Sequence, residues 1–361
     1  NRYDDRIYYS AVLLKNEKEK KDKRVLWSLN LDQLIWGPYA LKNHRTDSRD
    51  IVVQDSANKI HYIGANGNIK WSKALDGRIL GTPFQIDAFQ NNKFQFLFNT
   101  EKSIYALDIL GNSLEPFPIK LPFKATNEVV ALDYDQNNNY RFLIALEDNR
   151  IYNYDVLGNL VGGWEKPLVN SPIHQPISHF AINGLDYIFT IQDSGFVNLY
   201  NRKGQLRLRL KAKIDIPLGS DYFIEKSFNI DSSSITFENT LGGASKYVFS
   251  ADKPLVMNDT TQQQAIKTTL HYSNNRSLFY CQKSNNTLKI VLNGNQEYNY
   301  NIDYPFEIIS ANGNRNFVPV FNSKTKEMQL INNKFYLSPD YYRSSDKFCI
   351  SDINRDEIDE L

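Results

Sequence analysis

The chain has 361 residues, enough to bury a large core, and its 42 Lys and Arg residues almost balance its 41 Asp and Glu residues. The resulting formal charge of +1 provides no global field that would attract nucleic acid or anionic lipid. Aromatic residues reach 13%, which favours an ordered, β-rich protein over a disordered chain. No apolar run approaches the roughly 20 residues that cross a bilayer, so we expect no transmembrane segment. No signal peptide is visible, and the sequence begins at Asn1 instead of Met.

Near the amino terminus, residues 15–24 read KNEKEKKDKR between two apolar segments, 6–14 and 25–31. We expect this charged stretch to be the tip of a hairpin. It is either a solvated loop or a finger that docks on a phosphate-rich surface.

The next part of the chain repeats. Segments 58–71, 102–117, 149–164 and 195–208 each combine an alternating apolar strand, a turn that ends in Gly and a second strand. The turn glycines are Gly67, Gly111, Gly158 and Gly204, spaced 44, 47 and 46 residues apart. A further pair of strands precedes each hairpin. Four short antiparallel strands in about 45 residues predict the blade of a β-propeller.

The remaining repeats are less regular, but Gly294 lies 90 residues after Gly204, which equals two repeats of 45. We therefore predict an all-β propeller of four-stranded antiparallel blades as a single domain over residues 1–361. The blades are predicted to start near residues 36, 82, 128, 176, 222, 265 and 305.

The two ends of the chain suggest how the ring closes. Residues 346–361 have the pattern of the first two strands of a blade, and residues 6–31 have the pattern of the last two. If these halves pair, the propeller has eight blades, closed by its amino- and carboxyl-terminal strands, and no open strand edge remains. Seven blades is the alternative.

Few residues suggest chemistry. Cys281 and Cys349 sit on apolar segments and are predicted to be buried thiols, with one disulfide as the alternative. Trp36, Trp71 and Trp164 recur at similar repeat positions and are predicted to pack between blades. The five histidines are scattered without the spacing of a zinc site. The sequence contains no Walker loop and no Gly-x-Ser-x-Gly elbow.

The repeats resemble the PQQ-like β-propeller repeat. The resemblance rests on GNIKWSKAL (67–75), IYALDILGN (104–112) and GNLVGGW (158–164) and covers roughly residues 36–210. This repeat type occurs in quinoprotein dehydrogenases and in BamB-like outer-membrane assembly lipoproteins, which are not enzymes. The corner at 133–141 also resembles uncharacterised envelope propellers of Bacteroidota. A quinoprotein would need a quinone pocket and often adjacent cysteines, and no Cys-Cys pair is present.

The carboxyl terminus carries the strongest candidate for a metal site. Asp352, Asn354 and Asp356 place oxygen atoms at alternate positions, as calcium loops do. The loop resembles FG-GAP calcium loops, and this resemblance implies the Ile358 carbonyl and Glu360 as the remaining ligands. It departs from them at Glu357, where such loops usually have Gly. Residues 133–139 are a weaker version of the same corner. The alternative for both loops is a set of Asx turns that need no metal ion.

These observations predict a non-catalytic β-propeller scaffold that binds proteins, in the periplasm or cell envelope, as part of an outer-membrane assembly or secretion complex. Tyr341 and Tyr342 are the predicted aromatic contacts. The alternative is a ligand-binding or degenerate enzymatic propeller, for glycans or a quinone, with its site at the central channel. No nucleic-acid partner and no resident cofactor are expected, apart from the calcium hypothesis.

Overall fold

The structure is a computed structural model, and its regular secondary structure consists of β-strands. It describes residues 26–220, 222–241, 244–256, 267–272, 278–284, 286–292, 296–308, 312–313, 317–332, 334–344 and 348–351.

The strands follow one another as antiparallel sheets in which each strand pairs with the next. We call the four-stranded sheets blades 1 to 6. Blade 1 contains β1 (Leu34–Lys42), β2 (Arg49–Asp55), β3 (Lys59–Ile63) and β4 (Ile69–Ala74); blade 2 contains β5 (Ile79–Ile86), β6 (Gln95–Thr100), β7 (Ser103–Asp108) and β8 (Ile119–Lys120). A three-stranded sheet follows, with β9 (Val130–Leu132), β10 (Arg141–Ala145) and β11 (Ile151–Tyr154).

The later sheets keep this order with one exception near the end of the chain. Blade 3 contains β12 (Ser178–Ile182), β13 (Leu185–Ile191), β14 (Val197–Tyr200) and β15 (Leu206–Arg209); blade 4 contains β16 (Tyr222–Glu225), β17 (Ser234–Glu238), β18 (Ala244–Val248) and β19 (Leu255–Val256). Blade 5 contains β20 (Lys267–Tyr272), β21 (Leu278–Ser284), β22 (Thr287–Leu292) and β23 (Gln296–Asn301). Blade 6 contains β24 (Glu307–Ile308), β26 (Val318–Asn322), β27 (Glu327–Ile331) and β28 (Tyr342–Arg343), whereas β25 (Asn312–Gly313) pairs in parallel with β29 (Cys349–Ile350).

The second and third strands of the sheets are almost continuously buried. The strands β6, β10 and β13 show this pattern, and each contains at least three consecutive apolar residues. Runs of this kind form strands that are covered on both faces. The fourth strands are more exposed, as β4, β15 and β23 are. Consecutive antiparallel sheets with buried middle strands are the blades of an all-β propeller.

The core lies between neighbouring sheets. One cluster joins blade 2 to the three-stranded sheet through Leu97, Ile104, Phe142 and Ile144. A second cluster joins the three-stranded sheet to blade 3, and a third joins blade 3 to blade 4. From blade 2 to blade 4, neighbouring sheets therefore bury their apolar faces against each other.

A ladder of buried side-chain amides runs through the same region. The Nδ2 of Asn99 donates to the Asn127 carbonyl oxygen at 3.1 Å, and the Nδ2 of Asn127 donates to the Gln175 carbonyl oxygen at 3.2 Å. The Nε2 of Gln175 then donates to the Pro217 carbonyl oxygen at 3.0 Å. Each amide reaches a main-chain acceptor of the following sheet, so the ladder fixes the order and register of the sheets.

The prediction of eight blades, or alternatively seven, is wrong. The described residues form six four-stranded blades, and the sheet of β9–β11 has only three strands. In that sheet the chain beyond β11 makes only isolated bridges, Tyr154 with Leu160 and Arg150 with Leu168. Gly162 and Gly163 lie between these bridges, and a Cβ on either would meet no atom within 4 Å. A turn at Gly162 and Gly163, where Gly163 has φ +77°, therefore interrupts the pairing of this segment with β11.

The predicted closure of the ring by the two chain ends is also not what the structure shows. Cys349–Ile350 pairs in parallel with Asn312–Gly313, so no closed ring is formed among the described residues. Residues 26–31, expected to lie in the closing blade, contain no strand. Instead, Trp27 donates its Nε1 hydrogen to the Ala65 carbonyl oxygen at 2.8 Å, and this segment packs on blade 1. Residues 6–25 and 352–361 lie outside the described ranges.

The chain divides into two compact units. The first unit contains residues 1–78 and 271–361, and the second contains residues 79–270. The single domain over residues 1–361 therefore stays a prediction.

The expectation for the cysteines is confirmed, because Cys281 and Cys349 are both buried free thiols. Burial raises the pKa of Cys349 to about 12 and moves the pKa of Cys281 in the same direction. Trp164 packs between the three-stranded sheet and blade 3, as predicted, and donates to the Ile151 carbonyl oxygen at 2.8 Å. Trp71 stacks on Tyr62 of its own blade with ring centroids 5.1 Å apart.

Candidate functional site

The loops of the second unit that join first to second strands and third to fourth strands emerge at one edge of the sheets, because antiparallel strands alternate in direction. Hydrogen bonds link these loops between neighbouring sheets: Gln90 donates to the Asn137 carbonyl oxygen at 3.1 Å, and Asn183 donates to the Phe228 carbonyl oxygen at 2.8 Å. We call this edge the corner face. It comprises residues 87–94, 108–118, 133–140, 155–165, 183–184, 201–205 and 226–233.

The loops between first and second strands are Asx corners. Asp133 accepts hydrogen bonds from the backbone N–H groups of Asn137 and Asn138 at 3.1 and 2.9 Å. Asp87 does the same for Asn91 and Asn92 at 3.0 and 2.8 Å. Because these carboxylates already serve as backbone acceptors, hydrogen bonds account for the acidic corner at 133–139 without a metal ion.

The turns between third and fourth strands share one geometry. Asp108 Oδ1 accepts from the backbone N–H groups of Leu110 and Asn112, at 2.8 and 2.9 Å. Asp155 Oδ1 accepts from Leu157 and Asn159, both at 2.9 Å. Two side-chain hydrogen bonds per turn therefore hold the backbone at each tip.

The glycine in each turn is required by its conformation and its surroundings. Gly158 has φ +76°, and a Cβ on it would lie 2.8 Å from Pro116 Cγ and 3.0 Å from Ile119 Cδ1 of blade 2. The turn at Gly158 therefore packs against Pro116 and Ile119, which follow the Gly111 turn of blade 2. The two turn tips belong to one rigid surface.

The residue at the tip differs between repeats. In blades 1, 3 and 6 the equivalent position holds a polar residue, Asn66, Lys203 or Lys334. In blade 2 and in the three-stranded sheet it holds Leu110 and Leu157, whose exposed fractions are 52% and 65%. Leu160, exposed by 45%, lies on the same loop as Leu157, and Phe89, exposed by 63%, lies on the 87–94 loop of blade 2. We call these four side chains the apolar tips.

The loops around the apolar tips are acidic. Residues 87–94, 108–118, 133–140 and 155–165 contain one basic residue, Lys93. Their seven carboxylates are Asp87, Asp108, Glu115, Asp133, Asp135, Asp155 and Glu165. Rigid apolar side chains in an acidic surround form a surface that a basic, apolar partner would complement.

An ion-pair network bounds this surface at blade 3. Arg202 makes a bidentate contact with Asp135, with Nη–Oδ distances of 2.7 and 3.1 Å, and its Nε lies 2.5 Å from Asp186 Oδ2. Asp186 Oδ1 also forms a hydrogen bond with His179 Nε2, at 2.8 Å. The guanidinium lies 4.7 Å from the centre of the Tyr134 ring.

The charges of this network compensate one another. The hydrogen bond from Arg202 lowers the pKa of Asp135 below its usual range. Burial, and then the charge of Asp186, raise the pKa of Tyr134. Because the guanidinium contacts Asp135 and Asp186, the network joins the three-stranded sheet to blade 3.

On the opposite edge, His174 Nδ1 lies 2.6 Å from Asp193 Oδ2. The neighbouring residues Ser171 and Ser194 share a hydrogen bond of 2.8 Å between their hydroxyl groups. Neither serine is hydrogen-bonded to the histidine, so no nucleophile–base pair is assembled there. Within the described ranges, no group of three or more His, Cys, Asp or Glu side chains is arranged to hold a metal ion.

The predicted site residues fall in two places. Asp352, Asn354, Asp356, Ile358 and Glu360 lie outside the described residues, as does the charged stretch 15–24. Tyr341 is 48% exposed, with its ring centroid 6.2 Å from that of Tyr304. Tyr342 belongs to β28 and is half-buried opposite Met328. The structure therefore does not bring these two tyrosines to one exposed patch.

The apolar tips were not predicted from the sequence, although a signal was present. Alignment of the turn glycines places Leu110 and Leu157 one residue before Gly111 and Gly158, where Gly67 and Gly204 follow Asn66 and Lys203. An apolar residue at a solvent-exposed turn tip, present in two consecutive repeats, is the observation that could have found them.

No protein-family model and no curated protein matches the chain. Solved structures match its fold. BamB from Moraxella catarrhalis has a TM-score of 0.51 at 10% identity, covering 87% of this chain and 88% of that one. BBS1N in complex with ARL6DN has a TM-score of 0.51 at 9% identity, covering 87% and 93%.

An enzyme is among these neighbours. The dihydro-heme d1 dehydrogenase NirN matches with a TM-score of 0.54 at 9% identity, covering 81% of this chain and 63% of that one. At identities of 9–10%, these comparisons show the β-propeller fold, which the PQQ-like propeller BamB shares. They do not show an activity, because one fold supports many activities. In the part of the chain that the structure describes, no helix has the length and apolarity needed to cross a membrane.

Proposed function

We propose that this protein is a non-catalytic β-propeller scaffold that binds a protein partner through the corner face of its second unit. One observation carries the proposal: hydrogen-bonded turns hold Leu110 and Leu157 exposed at equivalent positions of neighbouring sheets. A loop surface held rigidly by sheets is a common location for binding.

The place of action is proposed as the periplasm or cell envelope, within an outer-membrane assembly or secretion complex. The resemblance of residues 36–210 to PQQ-like repeats motivates this location, and the resemblance to Bacteroidota envelope propellers agrees with it. Fractionation of the source cells tests it, because recovery of the protein in the cytosolic fraction would contradict it.

Isolation of the protein from native cells in mild detergent tests the scaffold function. A partner present in fixed stoichiometry, which forms the complex again from purified components, supports the proposal. A lone monomer that binds a glycan or a quinone saturably would overturn it, in favour of the ligand-binding alternative.

A further inference from the structure

We infer that the apolar tips, Phe89, Leu110, Leu157 and Leu160, form the docking surface for a basic, apolar peptide segment of the partner. The inference rests on the proposed scaffold function and adds the position of the surface and the chemistry of the segment that occupies it.

The first argument is preorganisation. Leu110 and Leu157 sit on turns whose backbone is fixed by the hydrogen bonds of Asp108 and Asp155 and by glycines with φ +85° and +76°. A partner that covers these side chains orders little of the surface on binding. The conformational cost of association is correspondingly small.

The second argument is the contrast between repeats. The same turn carries Asn66, Lys203 and Lys334 in three blades, so the turn itself does not require an apolar tip. Leu157 is 65% exposed and contributes little to the core. The apolar side chains therefore gain contacts when a partner covers them.

The third argument is charge complementarity. The loops around the apolar tips, 87–94, 108–118, 133–140 and 155–165, contain seven carboxylates and only Lys93 as a base. Of these carboxylates, Asp135 is paired with Arg202 of blade 3. The remaining negative charge favours Lys and Arg in the bound segment and opposes nucleic acid and anionic lipid.

The test is a selection from a random peptide display library on the intact protein. We expect the selected sequences to combine Leu, Ile or Phe with Lys or Arg, and to bind less tightly as ionic strength rises. Selection of acidic or purely polar peptides, or of none, would overturn the inference.

Matched variants locate the binding surface. Leu110→Asn and Leu157→Asn install the residue type that blade 1 has at its own tip, and each should weaken binding of the selected peptides by about tenfold. Glu115→Lys should weaken it further at low ionic strength. Leu168→Asn and Leu218→Asn, which change equally exposed leucines on the opposite edge, should leave binding unchanged. Thermal melting confirms that each variant is folded.

The two proposals can fail separately. If the complex isolated from cells forms equally well with the doubly substituted protein L110N/L157N, the docking surface is wrong and the scaffold function stands. If no protein complex exists, the scaffold function itself fails.

Discussion

At the scale of single residues, Phe335 shows how one repeat tolerates the loss of its turn glycine. It occupies the glycine position of the blade 6 turn with φ +62°, in the left-handed region that disfavours side chains. Its ring stacks on Tyr298 with centroids 4.2 Å apart. Stacking at this distance offsets part of the backbone strain.

Substitution of Phe335 separates the two effects. Phe335→Ala removes the stacked ring and keeps the strain, so it should lower the free energy of unfolding by about 2 kcal/mol. Phe335→Gly loses the ring but relieves the strain, and should be more stable than the Ala variant by about 1 kcal/mol. Urea denaturation measures both, and equal stability of the two variants would contradict the strain argument.

Asp55 is a second residue with a measurable consequence, through pH. Burial raises its pKa, but hydrogen bonds from His61 Nε2 and from the backbone N–H groups of Lys59 and Ala57 more than offset this, so the pKa lies below the ordinary value of 3.8. A carboxyl with a depressed pKa in the folded state stabilises the protein above its unfolded-state pKa. This contribution is lost as the pH falls through the folded-state value.

Asp55→Asn tests that assignment. The variant should be less stable than the parent at neutral pH, and the difference should shrink as the pH falls below about 4. Urea midpoints at several pH values measure it. A difference that stays constant down to strongly acidic pH would show that Asp55 is not held ionised by these contacts.

At the scale of elements, the turn at Gly204 joins local conformation to packing between sheets. Gly204 has φ +81°, and a Cβ there would lie 3.1 Å from Pro167 Cδ and 3.3 Å from Trp164 Cδ2. Gly184 has a similar φ of +74°, but a Cβ there would meet no atom within 4 Å. The two glycines thus share the conformational requirement and differ in packing.

We therefore expect Gly184→Ala to cost about 1 kcal/mol of unfolding free energy, the conformational term alone. Gly204→Ala should cost more, because Pro167 and Trp164 must also move. Thermal melting of the pair measures the difference. Equal melting temperatures of the two variants would mean that the Gly204 turn does not pack against Pro167 and Trp164.

The elements also show what the sequence could predict. The turns at Gly67, Gly111, Gly158 and Gly204 were recognisable because a positive φ and a repeat of about 45 residues both leave a sequence signal. The missing fourth strand after β11 was not recognisable, since Leu160 and Leu168 both form bridges to the sheet and only a turn at Gly162 and Gly163 separates them. The ion-pair network of Arg202 joins residues 67 positions apart, a separation at which no local pattern applies.

At the scale of the whole molecule, the number and closure of the blades could not be predicted. Residues 25–31 read as a strand by alternation, but Trp27 instead donates to Ala65 and covers blade 1. The final described strand, β29, pairs in parallel with Asn312–Gly313. A repeat made of antiparallel hairpins does not predict a parallel pair. Closure of the ring depends on which strand edges, far apart in the sequence, pair with each other.

The calcium hypothesis for Asp352, Asn354, Asp356, Ile358 and Glu360 is also tested on the whole chain. If this loop binds calcium, a saturating concentration should raise the melting temperature relative to excess chelator, because a ligand that binds only the folded state stabilises it. Asp356→Ala should abolish the difference. Identical melting in calcium and in chelator would remove the hypothesis.

The amide ladder of Asn99, Asn127 and Gln175 has a consequence for how such a chain can evolve. Asn99 lies within β6, but Asn127 and Gln175 both precede the first strand of their sheet, and each contributes one side-chain donor and one main-chain acceptor, so these two positions are equivalent. An in-frame duplication of the repeat that begins at Asn127 would bring both partners with it and would give every donating amide of the ladder an acceptor. The ladder thus lets the gene gain whole repeats while it penalises insertions of any other length.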